Sequence, residues 1–133
     1  VVCWGDNTDD ISSPIDNLNY SKLHGCAAHV CGLKTDGSIQ CWGSDEAGSN
    51  LPPLDTDFID VSVGSMNGCG LKRNGEIVCW GDDTHNLVSA VPAGPFTSFA
   101  AGGMGHACAV HVAGEVLCWG NNGMMQSAPP FGL

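Results

Sequence analysis

Eight cysteines, five histidines and fourteen aspartates and glutamates are the side chains of this 133-residue sequence with the most chemistry to offer. Clustered thiolates and imidazoles would hold zinc, a histidine beside a nucleophile would hydrolyse, and cysteines paired across strands would cross-link. The spacing favours the last. Cys31 and Cys41, Cys69 and Cys79, and Cys108 and Cys118 are each ten residues apart, and no Cys-x-x-Cys occurs. Disulfides are therefore expected and no metal site or cofactor is predicted. Of His24, His29, His85, His106 and His111, two align between repeats, His29 and His106, and Asn67 shares their position. A recurring structural hydrogen bond explains that better than catalysis. No histidine is paired in sequence with a nucleophile or carboxylate, so no catalytic residue is predicted and the protein is expected not to be an enzyme.

The elements that must position these cysteines are repeats. Cys-Trp-Gly recurs at Cys3-Trp4-Gly5, Cys41-Trp42-Gly43, Cys79-Trp80-Gly81 and Cys118-Trp119-Gly120, at spacings of 38, 38 and 39. Between each cysteine pair lies a turn, Thr35-Asp36-Gly37, Arg73-Asn74-Gly75 or Val112-Ala113-Gly114. A three-residue hairpin loop of this kind ends on a left-handed residue, which Gly37, Gly75 and Gly114 supply without a Cβ clash. Counting outward pairs Lys34 with Ser38, Leu33 with Ile39, Gly32 with Gln40 and Cys31 with Cys41. A non-hydrogen-bonded antiparallel pair brings Cα atoms to about 4.5 Å, which a disulfide can bridge. Alternation places Cys31, Leu33, Ile39 and Cys41 on one face. The small Gly32, Gly70 and Ala109 on the other face would admit a neighbouring sheet.

The unit Val/Ala-x-x-Gly, Cys-x-Leu, Asp/Asn-Gly-x-Ile/Val-x-Cys-Trp-Gly resembles the regulator-of-chromosome-condensation repeat, in its cysteine-rich extracellular version found in crinkly-type plant receptor ectodomains and secreted microbial proteins. The resemblance covers nearly the whole chain. It implies an all-β fold of four-stranded propeller blades, seven in the best-known members. The exchange-factor activity of nuclear members is not carried over, because no residue here maps onto it and the cysteines and acidity speak against that setting.

Boundaries follow from the repeat: an orphan strand at 1–5, repeats at about 20–45, 58–83 and 97–122, and a tail at 123–133, together about three and a half blades in a single domain. Cys3 and Cys26 fall outside the hairpin pattern, since Cys26 aligns with Gly64 and Gly103. A Cys3–Cys26 bridge tying the first strand to the next blade, or a bridge to another chain, would use them. Trp4, Trp42, Trp80 and Trp119 are expected to pack between blades rather than to stack on sugars. The polar loops after each Cys-Trp-Gly, such as Asp6-Asn7-Thr8-Asp9-Asp10, carry calcium-type oxygens, yet no complete calcium loop is present and Asp and Asn are ordinary turn residues. Asn19-Tyr20-Ser21 is the sole glycosylation sequon, making Asn19 a candidate site.

A net charge of −10 with only Lys22, Lys34, Lys72 and Arg73 as basic residues disfavours nucleic acid and anionic membranes as partners. No apolar run reaches the roughly 18 residues of a membrane span. Paired cysteines at this density indicate secretion into an oxidising compartment. Three and a half blades cannot close a ring, and repeats bury their faces against neighbours. The expected function is a non-enzymatic extracellular structural or interaction module, self-assembling into a ring or filament through its open ends. Its partners would be copies of itself or the rest of a longer propeller, with a protein or glycan ligand. A fragment of a ligand-binding receptor ectodomain is the alternative, and a secreted enzyme-inhibitor or lectin-like propeller the third.

Overall fold

A computed structural model describes residues 1–15 and 19–129. The end of the expected tail, 130–133, lies outside the described residues. Among the described residues nine strands form three antiparallel sheets: β1 (Tyr20–Cys26), β2 (His29–Lys34) and β3 (Ile39–Gly43); β4 (Phe58–Val63), β5 (Asn67–Lys72) and β6 (Ile77–Gly81); β7 (Phe96–Gly102), β8 (His106–His111) and β9 (Val116–Gly120). The second and third strands of each sheet pair in the register counted from the turns, including Cys31 with Cys41, Cys69 with Cys79 and Cys108 with Cys118. All three pairs are disulfides with Cα atoms 4.0 Å apart. The first strand of each sheet bulges once, near Tyr20, Phe58 and Phe96.

Two features differ from expectation. Each sheet has three strands, not four. The connections that would supply a fourth along the outer edge contain Pro14, Pro52 with Pro53, and Pro92 with Pro95, and proline has no N–H to give a ladder. Residues 1–5 form no strand either, because no described segment pairs with them. Accordingly Trp4 is 86% exposed and does not pack between blades.

The core lies between sheets, so each sheet is a blade that buries its face only against the next. One cluster joins Cys31, Leu33, Ile39 and Cys41 of the first blade to Phe58, Val61, Val63 and Trp80 of the second. The other joins Cys69, Leu71, Ile77 and Cys79 to Phe96, Ala107, Ala109 and Trp119. The corresponding face of the third blade, Cys108, Val110, Val116 and Cys118, is only half-buried. Small residues on the opposite face leave room chiefly for an aromatic ring of their own blade. A Cβ on Gly32 would lie 2.4 Å from Tyr20, and one on Gly70 2.6 Å from Phe58 and 2.9 Å from Ile39 of the preceding blade.

Turn glycines do two jobs. Gly37 and Gly75 have φ of +86°, and their carbonyls accept the Phe58 and Phe96 amides of the following blade at 3.0 and 2.8 Å. In the loops after Cys-Trp-Gly only one of four equivalent left-handed positions carries glycine. Asp10, Gly48, Asn86 and Met125 occupy the same place in four successive loops, with φ of 57°, 76°, 58° and 62°. Met125 is exposed, so its side chain gains little there. Met125→Gly is expected to stabilise the fold by about 1 kcal/mol, because only glycine avoids the left-handed Cβ penalty. A thermal melt in which the midpoint falls would contradict this.

Candidate interaction surface

Strand directions separate two rims. One carries the short turns between first and second strands and the loops after each Cys-Trp-Gly. The other carries the hairpin turns at Gly37, Gly75 and Gly114.

The loops of the first rim share one construction. Asn7, Asp45, Asp83 and Asn122 each accept, through Oδ1, the backbone N–H five residues on, at 2.9, 2.9, 2.8 and 3.1 Å. Their own carbonyls close a turn with Asp10, Gly48, Asn86 and Met125. Hydrogen bonds from Ser89 and Val88 hold the Asp83 carboxyl below its ordinary pKa, as Thr8 does for Asp6. Those acidic oxygens are thus occupied in fastening loops. Among the described residues no group of three His, Cys, Asp or Glu is placed to hold a metal.

Each loop then serves the next blade. The indole N–H groups of Trp42, Trp80 and Trp119 donate to the carbonyls of Ile11, Ser49 and Leu87, each at 3.0 Å. In every case the acceptor stands seven residues beyond the preceding repeat's tryptophan. Sequence reasoning missed this staple, although the constant loop length carries its signal. Gln126, seven beyond Trp119, holds the same loop position. Side chains near the inner strands add further ties. Lys22 pairs with Asp60, Val63 N–H donates to His24 Nδ1 at 3.1 Å, Ala101 N–H donates to Ser62 Oγ at 3.0 Å, and Ser65 donates to the Gly103 carbonyl.

The remaining sites divide. Cys3 and Cys26 are free thiols, so the expected bridge between them is absent. Residues 1–5 never join β1 as a strand, and nothing holds Cys3 across from Cys26. Instead, a Cβ on Gly103 of the third blade would lie 3.7 Å from Cys26 Sγ. Asn19 is exposed, and its carbonyl accepts the Thr35 amide at 3.1 Å. A cleft of about 260 Å³ opens on the loop rim between the second and third blades, bordered by Met66, Asn67, Asp82, His85, Met104 and Asn121.

His29, Asn67 and His106 begin the middle strands, and the recurring hydrogen bond expected of them is not made by both histidine nitrogens of His29, by Asn67 Oδ1 or by His106 Nδ1. Burial of His29 pushes its pKa below the ordinary 6.5, outweighing the carbonyls of Ser65 and Asn67 alongside. The unfolded chain therefore takes up a proton that the folded one resists. Stability should be full above about pH 6.5 and fall as pH drops from there through the folded-state value. His29→Asn, the residue at this position in the second blade, should flatten the pH dependence of the melting temperature between about pH 7 and 5. An unchanged slope would remove His29 from this role.

No curated protein matches the chain in sequence. The regulator of chromosome condensation (RCC1) repeat matches residues 58–86 and 96–126. Among solved structures, the entire ectodomain of the receptor kinase CR4 of Physcomitrella patens is 27% identical with a TM-score of 0.80, over 97% of this chain and 38% of that one. The CRINKLY ectodomain of the Arabidopsis thaliana receptor kinase ACR4 is 31% identical with a TM-score of 0.73, over 90% and 43%. Yeast RCC1 (Prp20), solved bound to Kap60, shares the fold at 15% identity and a TM-score of 0.73, over 90% and 39%. The chain thus spans about two fifths of each of these structures. No helix among the described residues is long and apolar enough to cross a membrane. Repeat register, blade-to-blade packing and these likenesses converge: over residues 58–86 and 96–126 the chain carries RCC1 repeats.

Proposed function

We propose that this chain is a non-enzymatic, extracellular interaction module, part of a propeller like those of receptor ectodomains. The likeness to the CR4 and ACR4 ectodomains carries this reading, and three hairpin disulfides support an oxidising setting. One protein that shares the fold, yeast RCC1 (Prp20), is described as binding Kap60, Gsp1p and histones. The loop rim is where a protein partner would dock here, because its loops are held rigid by side-chain caps while their tips stay exposed. Asn19 is a glycan site if the protein passes through a glycosylating pathway. Expression with a secretion signal should deliver folded protein to the medium with its three hairpin bridges formed, as read by mass spectrometry after peptide digestion. Folding equally well with all cysteines reduced would count against it.

One observation favours assembly as a second reading. The third blade's half-buried Cys108, Val110, Val116 and Cys118, with Gln126 at the acceptor position, match the surfaces that bury the next blade in the two formed interfaces. Either the rest of a longer propeller or a second copy would fit. Within one chain Trp42 already donates to Ile11, so a docking copy must first displace its own residues 6–13. Native mass under non-reducing conditions tests this: removal of residues 1–13 should raise the mass from monomer to multimer. A monomer in both forms excludes self-assembly.

A further inference from the structure

Basic side chains are scarce in this protein, which makes their placement informative. Of the four, Lys22 pairs with Asp60, and Lys72 lies 3.2 Å from Asp55 and 3.8 Å from Asp57. Lys34 and Arg73 form no ion pair among the described residues. Although 39 positions apart and on different blades, both border one cleft of about 330 Å³ on the hairpin-turn rim. That volume sits at the small end of ligand pockets, about 300–1,000 Å³.

The walls of this cleft have a definite chemistry. Leu33 and Phe58, 4% and 2% exposed, lie beneath its floor, and Ile59, 46% exposed, is its accessible apolar wall. Asp36 is the one acidic group bordering it, and its Oδ1 is engaged by the Ser38 amide and hydroxyl at 2.9 and 2.7 Å. Those hydrogen bonds, more than the nearby Lys34 charge, hold the Asp36 carboxyl below its ordinary pKa. Two cations against one anion give the cleft a charge of +1 on a molecule of net −10. A guanidinium and an ammonium bordering a mixed polar cleft with one exposed apolar wall are suited to a carboxylate that brings a small apolar group with it.

We propose that the cleft between the first two blades binds a carboxylate joined to a small apolar group, the chemistry shared by the C-terminal residue of a peptide and a free aliphatic acid. The carboxylate lies between Arg73 and Lys34, and the apolar group covers Ile59. The site stands on the rim opposite the loops and does not draw on the interaction reading, so its failure would leave that reading untouched.

The test titrates the intact chain, by isothermal calorimetry and by amide chemical shifts, with three probes. These are the peptide Gly-Gly-Gly-Leu with a free carboxylate, the same peptide amidated, and 4-methylpentanoate. Shifts should concentrate at Leu33–Gly37, Phe58–Ile59 and Arg73. Amidation and the Lys34→Gln/Arg73→Gln double variant should each weaken peptide binding about tenfold or more, the loss expected for a charge-assisted contact. Arg73→Gln alone should weaken it less, as should Lys22→Gln, which adjoins the cleft-lining Ser21 but has its ammonium committed to Asp60. Binding by the free acid as tight as by the peptide assigns a small-molecule site, and tighter binding of the peptide assigns a chain terminus. An unaltered melting temperature verifies the fold of each variant. The proposal is overturned if neither carboxylate probe binds, if the amide binds equally well, or if Lys22→Gln weakens binding as much as the double variant does.

Discussion

Trp80→Ala is expected to destabilise the protein by about 3–5 kcal/mol, the usual cost of deleting a buried aromatic side chain. Trp80 is 6% exposed and packs in the cluster that joins the first two blades. Gly68 makes the space, since a Cβ there would lie 2.5 Å from the indole. Two losses combine in the variant: apolar surface at the blade junction, and the donor to the Ser49 carbonyl. Trp80→Phe separates them, keeping a ring but stranding that carbonyl, at about 1–3 kcal/mol. Trp4→Ala is the control. With its side chain almost wholly in solvent, it should shift stability by less than about 0.5 kcal/mol. Urea unfolding of the three variants decides the matter: equal losses for Trp80→Ala and Trp4→Ala would mean that the indole does not join blades.

Removing the central bridge by Cys69→Ala/Cys79→Ala should cost about 2–3 kcal/mol, from the loop-closure entropy restored to the unfolded chain. Cys69 is fully buried and Cys79 6% exposed, so the lost sulfur contacts add to that entropy. Exposure also ranks the bridges. Cys108 and Cys118 are half-buried because no blade covers them, whereas Cys31 and Cys69 are fully buried. Under graded thiol treatment of the folded protein, alkylation followed by mass spectrometry should find Cys108 and Cys118 modified first. Simultaneous loss of all three bridges would show that reduction needs global unfolding, and that the third blade is as well covered as the others.

Local chemistry made much of this fold legible. A turn glycine and two cysteines ten apart define a hairpin's register, because strand geometry leaves one pairing that brings the sulfurs together. The burial of Trp42, Trp80 and Trp119 follows the repeat period, although only Trp80 and Trp119 lie in the clusters between blades. Trp4 broke the pattern for a physical reason: the same motif without a strand partner has no blade to enter. Cys3 and Cys26 misled because counting leftover thiols says nothing about the distance between them. The caps at Asn7, Asp45, Asp83 and Asn122 were visible as polar residues, but their acceptor role depends on the path of the five residues that follow.

Repeat, hairpins, disulfides and the face that must be buried are all legible in the chain, since they rest on pairings within a single repeat and on backbone stereochemistry. What each blade rests on follows from contacts between repeats. The Trp-to-carbonyl staple and the cleft that Lys34 and Arg73 share arise from packing one blade against the next. There, distance in space no longer follows distance along the chain.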